Sequence, residues 1–188
     1  MINKEYLKGK KVAILSETGF EQSELTSPKA ALEEAGLIAE VISPEPYTIR
    51  GWQDGNWGIE IKVDAGLDEA KAEDYIALVL PGGVMNPDRL RTHKKAVEFI
   101  KKFSEAGKPV AAICHGSQTL IETGLLEGKE MTSYPSIKTD LVNAGAKWTD
   151  REVVVDEFLI TSRSPKDLPA FNDKLLEQLS EGRQQDIN

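Results

Sequence analysis

Short apolar runs alternate along this chain with segments of helical period. "KVAILS" (11–16) and "IAEVIS" (38–43) read as two buried strands, "IALVL" (76–80) and "VAAI" (110–113) as two more. "EVVVDEFLITS" (152–162) reads as a further pair turning near Asp156-Glu157. Between them lie helical stretches: Ala30, Ala31, Leu32 and Ala35 before a stop at Gly36, then Ala96, Val97, Ile100 and Phe103 on one face. "SIKTDLVNAG" (136–145) is a short helix with a glycine stop. In the last helix Leu168, Phe171, Leu175 and Leu179 form a stripe, with Ser164 at the N-cap, Pro165 at the first position and Asp167 as the capping-box acid. Ser27-Pro28 is a helix start by the same rule, which leaves Glu21 to Thr26 as a loop or a loose first turn. This alternation predicts a mostly parallel sheet covered by helices on both faces, with ligands expected at its carboxyl edge.

The stretch from Pro44 to Tyr75 breaks the rhythm. Its turn residues and the alternating "IEIKV" predict a hairpin or excursion before the next core strand. Trp52 and Trp57 within it either line a pocket or interface, or plug the excursion onto the body, and the second reading is the favoured one.

Composition narrows the class. The 188 residues are long enough to bury a sizeable core and are expected to form one domain over 1–188, with no repeat or linker. A net charge of -8 disfavours a grip on nucleic acid or an anionic membrane. No run approaches the ~20 apolar residues of a membrane span, and "MINKEYLKGKKVAIL" lacks the apolar core of a signal peptide. One cysteine and two distant histidines provide neither a disulfide nor a metal-ligand spacing, so no metal or other cofactor is expected, and the expected compartment is a reducing cytoplasm.

That single cysteine sits in "KPVAAICHGSQTLIETG" (108–124). A buried strand, a glycine permitting close backbone approach and a helix stop together describe a strand-turn-helix elbow. Cys114 there would feel the free N–H groups of the helix start, which lower a thiol's pKa, and is expected to titrate well below the free-thiol value provided Glu24 is protonated. The N–H of His115 could serve an oxyanion, with a second donor from Gly83 in the "PGG" turn. The competing reading is a small core cysteine. His115 faces a geometric objection, since adjacent helical residues point roughly 100° apart, and it could act through its backbone alone.

These pieces in this order, "ILSETGFEQSEL", "VLPGG", the "CHG" elbow, "TSYP" and "EVVVD" with "TSR", resemble the PfpI family of the protein-deglycase superfamily over nearly the whole chain. The resemblance implies a flavodoxin-like α/β three-layer sandwich with a mostly parallel sheet, similar to class I glutamine amidotransferases. It implies Cys114 as nucleophile, His115 as its partner, and Glu24 as an acid hydrogen-bonded to the sulfur in protonated form. By residue type and position alone, Glu24 reads instead as an exposed first-turn acid. In PfpI-type proteases an acid after "PGG" reaches the histidine of a neighbouring subunit. Asp88 stands at that place here, one methylene shorter than glutamate, and its alternative is a helix N-terminal acid. Ser117 replaces a proline found in many relatives, and the Trp52–Trp57 excursion is similar to the general-stress-protein subgroup. His93 matches nothing catalytic and reads as a surface residue.

The resemblance implies a cofactor-free thiol enzyme, a homodimer or higher homo-oligomer, acting on small reactive aldehydes or glycated proteins. Two alternatives stay open: an intracellular cysteine peptidase, and a non-enzymatic redox sensor or holding chaperone that uses the oxidisable cysteine.

Overall fold

The computed structural model describes residues 3–181, so the expectation of one domain over 1–188 extends past the described residues at both ends. The strands are β1 (Lys11–Leu15), β2 (Phe20–Glu21), β3 (Ile38–Ser43), β4 (Thr48–Gln53), β5 (Asn56–Lys62), β6 (Ala65–Gly66), β7 (Ala77–Leu80), β8 (Val110–Ile113), β9 (Glu130–Met131), β10 (Lys147–Trp148), β11 (Val153–Asp156) and β12 (Leu159–Ser162). The helices are α1 (Lys4–Leu7), α2 (Gln22–Glu34), α3 (Met85–Leu90), α4 (Lys94–Glu105), α5 (Lys138–Asn143) and α6 (Leu168–Glu181).

Seven strands form the central sheet in the order β11-β12-β8-β7-β1-β3-β6. All neighbours are parallel except β11 on β12. Successive side chains of a strand point to opposite faces, and β1 shows the result. Val12 and Ile14 join Leu25 and Leu32 of α2 and Phe171 and Leu175 of α6, whereas Ala13 and Leu15 join Phe99, Ile100 and Phe103 of α4 and Leu141 of α5. The result is the α/β three-layer, flavodoxin-like sandwich expected. Phe103 and Phe171 are fully buried on opposite sides, each stabilising the fold by about 1.5–3 kcal/mol relative to exposure. Because β3 and β7 flank β1 on opposite sides, strand order reverses at β1, which makes the carboxyl ends of β1 and β7 the switch point where open α/β sheets place their ligands.

Three local expectations are corrected. Helix α2 starts at Gln22 and carries Pro28 inside it, buried. Proline lacks only the N–H that would reach the Glu24 carbonyl, and burial of Leu25 and Leu32 on the same helix outweighs that one missing bond. At the last helix, Ser164 makes no side-chain cap and Pro165–Asp167 form a 3-10 turn ahead of α6. The Asp167 carboxylate accepts from the backbone N–H of Arg163 at 3.0 Å and from its guanidinium at 2.9 and 3.0 Å, so it clamps the residue before the anticipated cap. On α4 the fully inward position is Phe99 rather than the half-buried Val97.

The excursion is a hairpin of β4 and β5, joined to the body through the short parallel pair β2–β4. Trp52 and Trp57 pack edge to face on each other, centroids 5.3 Å apart, and Trp57 stays 44% exposed. They are cross-strand partners in register, which ties the hairpin to itself, and Trp52 is also in register with Glu21 of β2, where the hairpin joins the body. Among the described residues no helix is long and apolar enough to cross a membrane.

Candidate active site

Strand β8 leads extended through Ile113, and the chain then turns sharply. Cys114 has φ +61°, a left-handed conformation that costs a side-chain-bearing residue roughly 1–2 kcal/mol. A 3-10 segment over Cys114–Thr123 follows, ending at Gly124 in the same left-handed region. The "CHG" glycine is required by contact: a Cβ on Gly116 would run into the carbonyl oxygens of Leu80 and Pro81 at the end of β7. The elbow is thereby pressed against the "PGG" turn, and Cys114 is 6% exposed.

The left-handed turn also removes the objection to His115. It interrupts the helical offset between adjacent residues, and the His115 Nδ1 lies 3.2 Å from the Cys114 Sγ. On the far side of the ring Nε2 is 3.0 Å from the Ser136 Oγ. The imidazole stacks on Tyr134 at 4.6 Å between centroids and 24° between planes, and Tyr134 is held by its own N–H donating to the Cys114 carbonyl at 3.2 Å. Burial lowers the His115 pKa, which favours the neutral ring.

Glu24, on the first turn of α2, is completely buried. Its Oε2 accepts from the Gly82 N–H at 2.9 Å. Oε1 makes no regular hydrogen bond in this geometry, while the Cys114 thiol is close enough to act on the carboxyl's titration. Burial pushes the Glu24 pKa up to about 8, against the lowering pull of Cys114 and of the Gly82 and Gly83 N–H groups. A protonated acid beside the sulfur is therefore the state at neutral pH. Gly82 is the floor that makes this approach feasible: a Cβ there would stand 2.5 Å from the Glu24 Oε2 and 2.8 Å from the Cys114 Cβ.

The thiol differs from the expectation. Burial first, and then the negative charge of an ionised Glu24, push the Cys114 pKa up, with the N–H groups of His115 and Gly83 pulling it down. The helix-start N–H groups do act, but desolvation of a nearly enclosed sulfur is the larger effect. The resting site is thus a thiol, with the His115 Nδ1 3.2 Å from its sulfur. The backbone N–H groups of His115 and Gly83 both act on the sulfur.

Asp88 lies on α3 and is exposed, with no hydrogen bond or ion pair to His115 within the chain. The Nε2 of His115 has Ser136 as its partner within the chain. Ser117 is buried with its Oγ unpaired. His93 is half-exposed, as read, but its Nε2 sits 3.0 Å from the buried Glu17, a pairing the sequence did not suggest. Ser136, Tyr134 and Gly82 were also missed as site residues. Tyr134 and Ser136 stand in "TSYPS" and Gly82 in "PGG", so adjacency to family motifs was the one available signal. Beyond Tyr134 a cavity of about 430 Å³ is lined by Pro135, Asp150, Arg163 and Lys166. Among the described residues no three His, Cys, Asp or Glu side chains cluster in a way that would hold a metal ion.

The chain is 46% identical over 166 residues to general stress protein 18 of Bacillus subtilis, covering 87% of this chain and 94% of that protein. It is 47% identical over 171 residues to YraA of the same organism, whose name proposes a cysteine protease, covering 90% of this chain and 98% of that one. The deglycase PfpI of Pyrococcus furiosus is 45% identical over 161 residues, covering 86% and 94% of the two chains. Among solved structures, Schizosaccharomyces pombe DJ-1 superposes with a TM-score of 0.79 at 27% identity over 89% of this chain and 90% of that one. With residues 10–178 matching the family's own model, the chain belongs to the DJ-1/PfpI family.

Proposed function

We propose that this chain is a cofactor-independent thiol enzyme of the cytoplasm that acts on reactive carbonyls, such as methylglyoxal, glyoxal or their early adducts on proteins. Relatives named as deglycases support hydrolase-type chemistry, and one observation of the site carries the choice of substrate: the fully buried Glu24, held neutral beside Cys114 by a pKa of about 8. Addition of a thiol to an aldehyde forms an S–C bond, opens the C=O π bond and leaves an oxygen that needs a proton. Cys114 supplies the sulfur, His115 Nδ1 takes the thiol proton, and Glu24 delivers its own to the oxygen of the hemithioacetal. The carboxylate left behind recovers that proton through solvent or His115.

A peptidase reading draws on the name of YraA. Amide cleavage needs a strong acid catalyst for a poor leaving group, usually an imidazolium steadied by a carboxylate. His115 has a neutral hydroxyl as partner and its pKa is lowered, which favours the aldehyde reaction.

The test is consumption of methylglyoxal by the wild-type chain, Cys114→Ser and Glu24→Gln, beside cleavage of a casein-type peptide. Cys114→Ser should abolish aldehyde turnover, and Glu24→Gln, which keeps the shape but cannot donate a proton at neutral pH, should lower it by about 10²–10⁴-fold. Peptide cleavage without aldehyde turnover would reverse the assignment.

A further inference from the structure

We propose that Ser136 is the positioning residue of His115, holding the imidazole with its Nε2 hydrogen on the serine oxygen and its Nδ1 lone pair on the Cys114 thiol. The inference rests on Cys114 being the nucleophile of the proposed function, and it does not depend on which electrophile the sulfur attacks.

Three observations carry it. His115 bridges two partners, Sγ at 3.2 Å and the Ser136 Oγ at 3.0 Å, one on each ring nitrogen. The Tyr134 ring stacked on one face confines the tilt of the imidazole and leaves a flip about its last side-chain bond as the remaining freedom. A hydrogen bond at Nε2 opposes that flip, because the flipped ring would present a carbon to the serine. Asp88, the other candidate partner, is exposed on α3 and does not reach His115 within the chain.

The proton inventory then fixes the tautomer. To accept the thiol proton, Nδ1 must be bare, so the ring hydrogen is on Nε2 and donates to Ser136. The serine is exposed and can direct its own O–H to water. When the thiol proton moves to Nδ1, the cation still has Ser136 as acceptor at Nε2, and among the described residues of the chain no carboxylate is hydrogen-bonded to it. The proton is therefore held briefly, which suits a reaction that returns it within one addition step. A carboxylate in this place would instead trap an imidazolium–thiolate pair.

The experiment measures iodoacetamide alkylation of Cys114 and ¹⁵N chemical shifts of the His115 ring across pH in the full chain, for wild type, Ser136→Ala, Ser136→Thr, Ser136→Asp and Asp88→Asn. Ser136→Ala should slow alkylation at neutral pH roughly fivefold to tenfold, the loss of one hydrogen bond, and should shift the ring from a single Nε2–H tautomer to a mixture. Ser136→Thr should restore both readouts, and Ser136→Asp should raise the pH at which His115 titrates. Unchanged rate and tautomer in Ser136→Ala would overturn the proposal. So would a loss confined to Asp88→Asn, which would assign the role to the acid of a second copy. Alkylation that responds as expected in a chain that consumes no methylglyoxal would support Ser136 and remove the carbonyl reading.

Discussion

Two buried glutamates lie seven residues apart at the carboxyl edge of β1, and they have opposite uses. Glu17 and Glu24 are 4% and 0% exposed, and burial is the largest influence raising the pKa of each. Glu17 has the imidazole of His93 at 3.0 Å, and both His93 and Arg89 oppose the rise, while Glu45 adds to it. Glu24 has no cation among its influences; it has backbone N–H groups, a thiol and the like charge of Glu21. Burial alone does not make an acid catalyst. The absence of a nearby basic group is what leaves Glu24 a proton donor, while Glu17 has the His93 imidazole and Arg89 opposing the rise in its pKa.

The largest effect expected from this difference is on stability against pH. A carboxyl whose pKa is near 8 in the folded chain and 4.5 unfolded holds a proton in the fold that the unfolded chain has released. Its contribution is therefore neutral below the unfolded value and turns unfavourable as pH rises through that window, by on the order of 5 kcal/mol in total. The Cys114 thiol, pushed upward, stays protonated throughout and adds no slope of its own. Urea unfolding at pH 5 and pH 8 should show the Glu24→Gln variant gaining relative to wild type at the higher pH. Equal differences at both pH values would mean that Glu24 is ionised in the fold and that the contrast with Glu17 is false.

A smaller effect is expected from the floor of the site. Gly82→Ala should destabilise the fold by about 1–3 kcal/mol, because the new methyl meets the Glu24 Oε2 and the Cys114 Cβ at once and both must shift. The alkylation rate of Cys114 should change with it. Thermal unfolding unchanged from wild type would show that the two side chains have room to separate, and with it that their proximity is not enforced.

The smallest effect is at the other acid. His93→Ala should cost ~1 kcal/mol, the loss of the one imidazole contact at 3.0 Å to the buried Glu17 carboxyl. Cys114 alkylation should be untouched. A change in alkylation would join the two glutamates into one coupled system rather than two independent ones.

The contrast also marks what the chain discloses without its structure. β3 is legible to the residue, and the stripe of Leu168, Phe171, Leu175 and Leu179 is buried as its period requires. The helix has one dry face, which its period reports, whereas β3 is buried on both, Val41 in one core and Ile42 in the other, and reads as an apolar run. The start of α2 was misread because a rule about first positions was applied to Pro28, whose missing N–H is tolerated inside a well-packed helix. Cys114 and His115 are legible through the elbow, but Ser136 lies 21 residues beyond His115, and no local pattern links them. Glu17 and His93 are further apart still, and the sequence offers no cue that one is buried against the other. Pairings made by tertiary approach leave no period to read.

The left-handed backbone at Cys114 has a consequence for how the chain can be altered. Glycine, and to a lesser degree asparagine, occupy that region more comfortably than cysteine. A laboratory selection that rewards survival at high temperature and is blind to chemistry would accordingly drift at position 114 toward residues with no sulfur. The survivors would keep the sandwich and lose the reaction, an instance of the conflict between durability and activity seated in one dihedral angle.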